Sequence, residues 1–223
     1  MTVRRLRSDA QHNRQRVIDA ARELFAAKGL AATLNDVAHH AGVGVGTVYR
    51  RFPTKEDLLE AIFEGGIDEL TALAETALRQ HDSWQGFVWF VEQMCGLTAA
   101  DRGIREIAFS NAYGGNRVGA AKARLVPKLT ELVERAEKDG HLRPGVSPSD
   151  MPIFGLLAGT VSEFAGHVDT ELWRRYVAIV LEGLRHRSDQ TPLPVDALDE
   201  DQLDAVMQTR SSQRPTEPSP RRR

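Results

Sequence analysis

Apolar residues recur along most of the chain at intervals of three and four, the period of an amphipathic helix, with no convincing strand alternation. Val17, Ala20, Ala21, Leu24 and Phe25 form one stripe, which Lys28 and Gly29 close. Thr33-Leu34-Asn35-Asp36 reads as a capping box that opens a short second helix and turns Leu34, Val37, Ala38 and Ala41 inward. Gly42 breaks that helix, and a third carries Val45, Val48, Tyr49 and Phe52 before Pro53 stops it. A second capping box, Thr54-Lys55-Glu56-Asp57, starts a long helix bearing Leu58, Leu59, Ile62, Phe63, Ile67 and Leu70. Further helices are predicted over 83–98, 102–111, 118–139, 149–166 and 170–187. The fold class is therefore all-α.

The character of the chain changes at Thr191. Five of its ten prolines fall in the last 33 residues, which predicts a disordered tail over 191–223. Within it, VDALDEDQLDAVMQ could form one short amphipathic helix.

Charge sharpens this picture more than bulk composition does. With 41% hydrophobic and 27% charged residues the chain is an ordinary globular protein, and its longest nearly apolar run, MPIFGLLAGTV, is too short to span a bilayer. Arg4, Arg5 and Arg7 could open a signal peptide, but Ser8, Asp9, Gln11 and His12 follow them, so a cytoplasmic location is expected. The net charge of −2 hides an asymmetry. Residues 1–55 hold ten Lys or Arg against four Asp or Glu, a net +6, which leaves −8 for the remainder. A basic head on an acidic body points to a polyanionic partner, with nucleic acid first among candidates. Cys95 is the single cysteine and lies in the apolar stretch FVWFVEQMCGL, as an inert buried thiol would.

GVGVGT at residues 42–47 superficially resembles a phosphate loop. A dinucleotide fingerprint needs a different glycine spacing and a preceding strand, and a Walker loop needs Gly-Lys-Ser/Thr; the stretch meets neither requirement. A helix-turn-helix accounts for it better. Two helices that cross steeply need a tight turn with little side-chain bulk, which Ala41-Gly42-Val43 supplies. Gly44 then sits where the third helix begins, and Gly46 and Thr47 occupy its first turn, the part of a recognition helix that reaches base edges. Small residues there let the backbone approach DNA, while Tyr49 and Arg50 offer a hydroxyl and a guanidinium.

The stretch TLNDVAHHAGVGVGTVYRRFPTKEDLLEAIF resembles the DNA-binding domain of the TetR family of bacterial transcription regulators. The matching positions are Thr33, Asp36-Val37-Ala38, Ala41-Gly42-Val43, Gly46-Thr47-Val48-Tyr49, Phe52, Lys55-Glu56 and Leu58-Leu59. The resemblance implies a basic arm over 1–11, a helix-turn-helix domain over 12–64, and a ligand-binding and dimerisation domain over 65–190. It places Thr33, Thr47, Tyr49 and Lys55 against phosphates, and Val45, Gly46 and Arg50 towards bases, with Arg4 and Arg5 in an arm that reaches the minor groove. Position 44 is often serine in that family. Gly44 therefore lacks a hydroxyl and can contact DNA only through its backbone N–H.

A single helix-turn-helix makes few base contacts, so a homodimer on a palindromic double-stranded operator is expected. The family's dimer bundle corresponds here to 149–166 and 170–187, with Gly155 and Gly159 allowing close helix approach and Leu172, Tyr176, Ile179 and Val180 as a face. The resemblance also implies a pocket for a small-molecule effector, with Trp84, Phe87, Phe90, Met94, Phe109, Tyr113 and Phe164 as candidate lining. Gly65-Gly66 lies where the long helix enters the body and suggests a kink, a tight packing site or a hinge. The expected function is a repressor released from its operator by that effector, the alternative being a ligand-independent architectural DNA-binding protein. His81, His141 and His167 are isolated, and no acid/base pair or nucleophile constellation stands out, so neither a metal, a cofactor nor an enzyme activity is expected.

Overall fold

The computed structural model describes residues 2–100 and 116–212, with side chains described for 12–207 of these except residue 30. Every described element is helical, and among the described residues the sole β-type pairing is an isolated antiparallel bridge between Leu142 and Arg185. Helix α1 spans Thr2–Lys28, α2 Leu34–Ala41, α3 Val45–Arg51 and α4 Lys55–Leu78. These are followed by α5 (Ser83–Ala100), α6 (Asn116–Lys138), α7 (Met151–Ala165), α8 (Leu172–Leu184) and α9 (Glu200–Ser212). The helix expected over 102–111 lies outside the described residues.

Two apolar cores form. The first gathers Val17, Leu24 and Phe25 of α1, Leu34 and Val37 of α2, Val48 and Phe52 around α3, and Leu58 and Ile62 of α4. The second joins Ile67 and Ala74 of α4 to Phe87, Phe90 and Met94 of α5, Leu129 and Leu132 of α6, Met151 of α7 and Trp173 and Val177 of α8. Phe63 packs against both, so α4 is one continuous rod shared by the two cores.

Local chemistry sets the ends of the small helices. Thr33 Oγ1 accepts from the Asp36 N–H at 3.2 Å, and the Asp36 carboxylate accepts from the Thr33 N–H at 2.8 Å. Thr54 and Asp57 repeat this reciprocal box at the start of α4, at 3.1 and 3.0 Å. Gly42 closes α2 in the left-handed conformation (φ 62°), a geometry that strains any residue with a Cβ. At the other end of α4 the free carbonyls are taken by a distant residue. The Arg135 guanidinium on α6 donates to the carbonyls of Leu78, Gln80 and His81 at 2.7–2.8 Å.

Three expectations change. The basic segment is not a separate arm: no Pro or Gly interrupts residues 2–16, and the backbone from Thr2 is continuous with α1. Gly65-Gly66 is no tight packing site, because a Cβ at either position would meet nothing within 4 Å, and α4 runs through both. The tail is ordered as far as Ser212. After α8 the chain runs without helix to Asp199, held where the Arg143 guanidinium donates to the Thr191 carbonyl at 2.6 Å, and then forms α9. Met207 of α9 is buried and Lys122 Nζ pairs with Asp204 at 2.9 Å, contacts that the proline content did not disclose.

Candidate nucleic-acid interface and effector cavity

Helix α3 has two unlike sides. Val48 and the following Phe52 are buried in the first core, whereas Val45 and Tyr49 are 43% and 45% exposed although both are large and apolar. Gly44, Gly46, Arg50 and Arg51 are exposed beside them, and Thr47 is half-buried. Gly44 is the N-cap of α3, in extended backbone (φ −64°, ψ 136°) and with no side chain to cap the helix. A Cβ on Gly46 would meet nothing within 4 Å, so no packing demand inside the chain explains that glycine.

The surrounding polar residues are partly committed to the fold. Thr33 is exposed, but its hydroxyl is engaged in the α2 capping box, where it also donates to Asp36 at 2.7 Å. These hydrogen bonds from the Thr33 side chain and backbone hold the Asp36 carboxyl below the usual carboxylate range, and Thr54 does the same for Asp57. Lys55 is half-buried, its ammonium 5.6 Å from the centroid of the Phe25 ring, and burial lowers its pKa. Arg16, which the residue pattern did not single out, donates to the Ala41 carbonyl at 2.8 Å and fastens α1 to the end of α2. The side chains of Arg4 and Arg5 lie outside the described residues.

The second core borders an open-sided cavity of about 340 Å³. Phe63, Gly66, Ile67 and Leu70 of α4 form one wall, Phe90 and Met94 of α5 another, and Leu125 and Leu129 of α6 a third. Met151 and Gly155 of α7 also line it, as do Leu198, Leu203 and Met207 of the tail. Of the residues expected to line such a pocket, Phe90 and Met94 do so. Phe87 is buried in the core away from the lining, and Trp84 stacks on it with ring centroids 5.9 Å apart. Phe164 is 82% exposed and is not among the described residues that line this cavity. Phe109 and Tyr113 lie outside the described residues. The lining from α4 was missed, although Phe63, Ile67 and Leu70 continue the apolar stripe past the first core at helical spacing.

Known proteins share both parts of this layout. Residues 17–62 match the bacterial regulatory proteins of the tetR family, and residues 82–186 match the C-terminal domain of SbtR-like transcriptional regulators. The HTH-type transcriptional regulator UidR of Escherichia coli (strain K12) is 30% identical over 148 residues, 64% of this chain and 74% of that protein. The chain belongs to the TetR family of DNA-binding transcriptional regulators. The TetR-type regulator SrpR of Pseudomonas putida is 27% identical over 195 residues, covering 86% of this chain and 84% of its own. A solved TetR structure from Mycobacterium vanbaalenii superposes with a TM-score of 0.57 at 31% identity, over 81% of this chain and 99% of that one.

In this TetR protein the small residues of α7 do not form an external seam. Gly155 and Gly159 are buried within the subunit, and a Cβ on Gly155 would lie 3.1 Å from Thr98 Oγ1 of α5. Gly155 serves α5–α7 packing instead. Among the exposed large apolar residues are Leu157, Phe164 and Val168 on and after α7 and Tyr176 and Ile179 of α8, while Leu172 and Val180 are half-buried. Cys95 is fully buried, and burial, assisted by Glu92, pushes its thiol up to about 12. No described helix is long and apolar enough to cross a membrane.

Proposed function

We propose that this TetR-family regulator is a repressor that binds a palindromic operator as a homodimer and leaves it when a small molecule fills the cavity. Residues 12–64 act as the DNA-binding domain and 65–190 as the effector and dimerisation domain. Val45, Gly46 and Arg50 face bases, and Thr33, Thr47, Tyr49, Lys55 and the Gly44 N–H face phosphates. Leu157 and Phe164 of α7 and Tyr176 and Ile179 of α8, large apolar side chains exposed on two neighbouring helices, face the second subunit.

One observation carries this reading: the same helix, α4, buries Leu58 and Ile62 in the core beneath α3 and lines the cavity with Phe63, Gly66 and Ile67. An occupant that displaces the cavity wall therefore moves the base of the DNA-binding helices. Footprinting on the DNA upstream of the protein's own gene tests the proposal. A two-fold symmetric protected site that a cell extract abolishes is the expected result, and equal protection of scrambled DNA would overturn it.

A further inference from the structure

One side of the cavity is formed by the chain's own tail. Residues 186–199 run back along the body without helix, and α9 then lays Leu203 and Met207, one helical turn apart, over the opening. Met207 is buried and Leu203 half-buried, whereas Glu200, Asp201, Gln202 and Val206 are exposed. Asp199 and Gln202 cap the start of α9 reciprocally, at 2.7 and 3.1 Å, so the helix begins where it meets the cavity. Between the two apolar residues stands Asp204, whose carboxylate accepts from Lys122 Nζ at 2.9 Å. Lys122 is the one Lys or Arg among the described lining residues, its side chain only 21% exposed; the carboxylates beside it in the lining are Asp199, Glu200 and Asp204 of the tail and Glu69 of α4, which pairs with Arg22 at 3.6 Å.

Helix α9 thus presents two apolar side chains and the Lys122-paired carboxylate of Asp204 to a largely apolar cavity, with Asp199 and Glu200 beside them in the tail's part of the lining. That is the chemistry of a single-chain amphiphile with an anionic head. We propose that α9 is an internal stand-in for the effector, and that the effector is such an amphiphile, whose head takes the place of Asp204 on Lys122 and whose chain takes the place of Leu203 and Met207. Tail and effector are then mutually exclusive, and the docked tail lowers the apparent effector affinity by the fraction of molecules that hold it in place. The inference rests on the cavity being the effector site. It adds the class of ligand and the competitor.

The sign of one substitution separates a stand-in from a mere wall. In the full chain, Leu203→Asn/Met207→Asn removes the apolar contacts of α9 without touching the other walls. Dodecanoate is the probe, with dodecanol and dodecylamine as neutral and cationic controls, and binding is followed by calorimetry. The double variant is expected to bind dodecanoate about fivefold more tightly or better, within the usual range of coupling between competing contacts. Asp204→Asn, a milder change, should tighten it in the same direction, and Lys122→Gln should abolish the preference over dodecanol. In the unmodified chain, dodecanoate should speed hydrogen exchange of the amides in 200–207. Weaker or unchanged binding by both tail variants overturns the competition, as does unaltered exchange under saturating dodecanoate. Equal binding of the three amphiphiles, or of none by any variant, overturns the ligand class. If the tail competes but dodecanoate leaves the operator footprint intact, the competition stands and the cavity's regulatory role falls. If a cell extract releases the operator while the tail variants behave as the parent, the regulatory role stands and the competition falls.

Discussion

Gly46 separates what folding needs from what DNA binding needs. It is the second residue of α3, exposed, and an added Cβ would meet no atom within 4 Å. Gly46→Ala therefore relieves the helix of a poor former at no steric cost and gains up to about 1 kcal/mol. For a chain of this size each kcal/mol raises the melting temperature by roughly 2–4 °C. At the DNA the same methyl group has no room if this is the surface that approaches the groove, between Val45 and Tyr49. Overpacking of a tight contact costs about 1–3 kcal/mol, a loss of roughly 5- to 150-fold in affinity. The expected pair of results is a higher melting temperature by circular dichroism and weaker binding of the footprinted duplex by fluorescence anisotropy at fixed salt. A raised melting temperature with unchanged affinity refutes the placement of Gly46 at the closest approach, and a lowered one refutes the open space around it.

Gly44→Ser has ordinary extended backbone and no atom nearer than 3.7 Å to its new Cβ, so it should gain a few tenths of a kcal/mol of stability as a better N-cap and tighten operator binding; unchanged anisotropy would make the glycine neutral for DNA. Gly86→Ala places a Cβ 2.6 Å from the Ala77 carbonyl oxygen, where backbone must shift, and urea titration should show a loss of about 1–3 kcal/mol. Lys55→Ala should lower the salt slope of operator binding by about one if its ammonium reaches a phosphate; a lower melting temperature with an unchanged slope would confine Lys55 to its contact with Phe25. The Asp36 and Asp57 carboxyls titrate below their unfolded values, so their stabilisation is complete above the ordinary carboxylate range and disappears as the pH falls through the lowered values. Asp36→Asn/Asp57→Asn should accordingly be less stable than the parent near pH ~6 and converge with it near pH ~2, and a constant gap in urea midpoints would argue against the capping boxes.

The first four helices were legible because everything that sets them is local. A capping box is a relation between residues three apart, a left-handed glycine closes a helix within one turn, and Pro53 stops α3 wherever the rest of the chain goes. The body was legible as helices but not as surfaces. Periodicity put Phe164 on a stripe without saying whether that stripe faced a cavity or solvent, and it put Gly155 at a close approach without saying that the partner was Thr98 of the same chain. The cavity wall from α4 and the Arg135 clamp depend on residues more than fifty positions apart. The tail was the least legible part. Leu203 and Met207 are too few to announce a docked helix, and their burial depends on an opening built by α4 to α7.

The clamp at the end of α4 also decides what kind of motion the helix can pass on. Arg135 ties the carbonyls of Leu78, Gln80 and His81 to α6, and the Arg124–Asp68 ion pair at 2.6 Å adds a second tie nearer the middle. The clamp opposes sliding, and a swing about it must stretch the exposed Arg124–Asp68 pair. With 24 residues α4 is about 36 Å long, so a swing of about 5° about the clamp carries Lys55, and the whole base of α3, through about 3 Å. In the proposed two-fold dimer the two swings would combine, and the cavity would then act as a small lever input to the distance between the recognition helices.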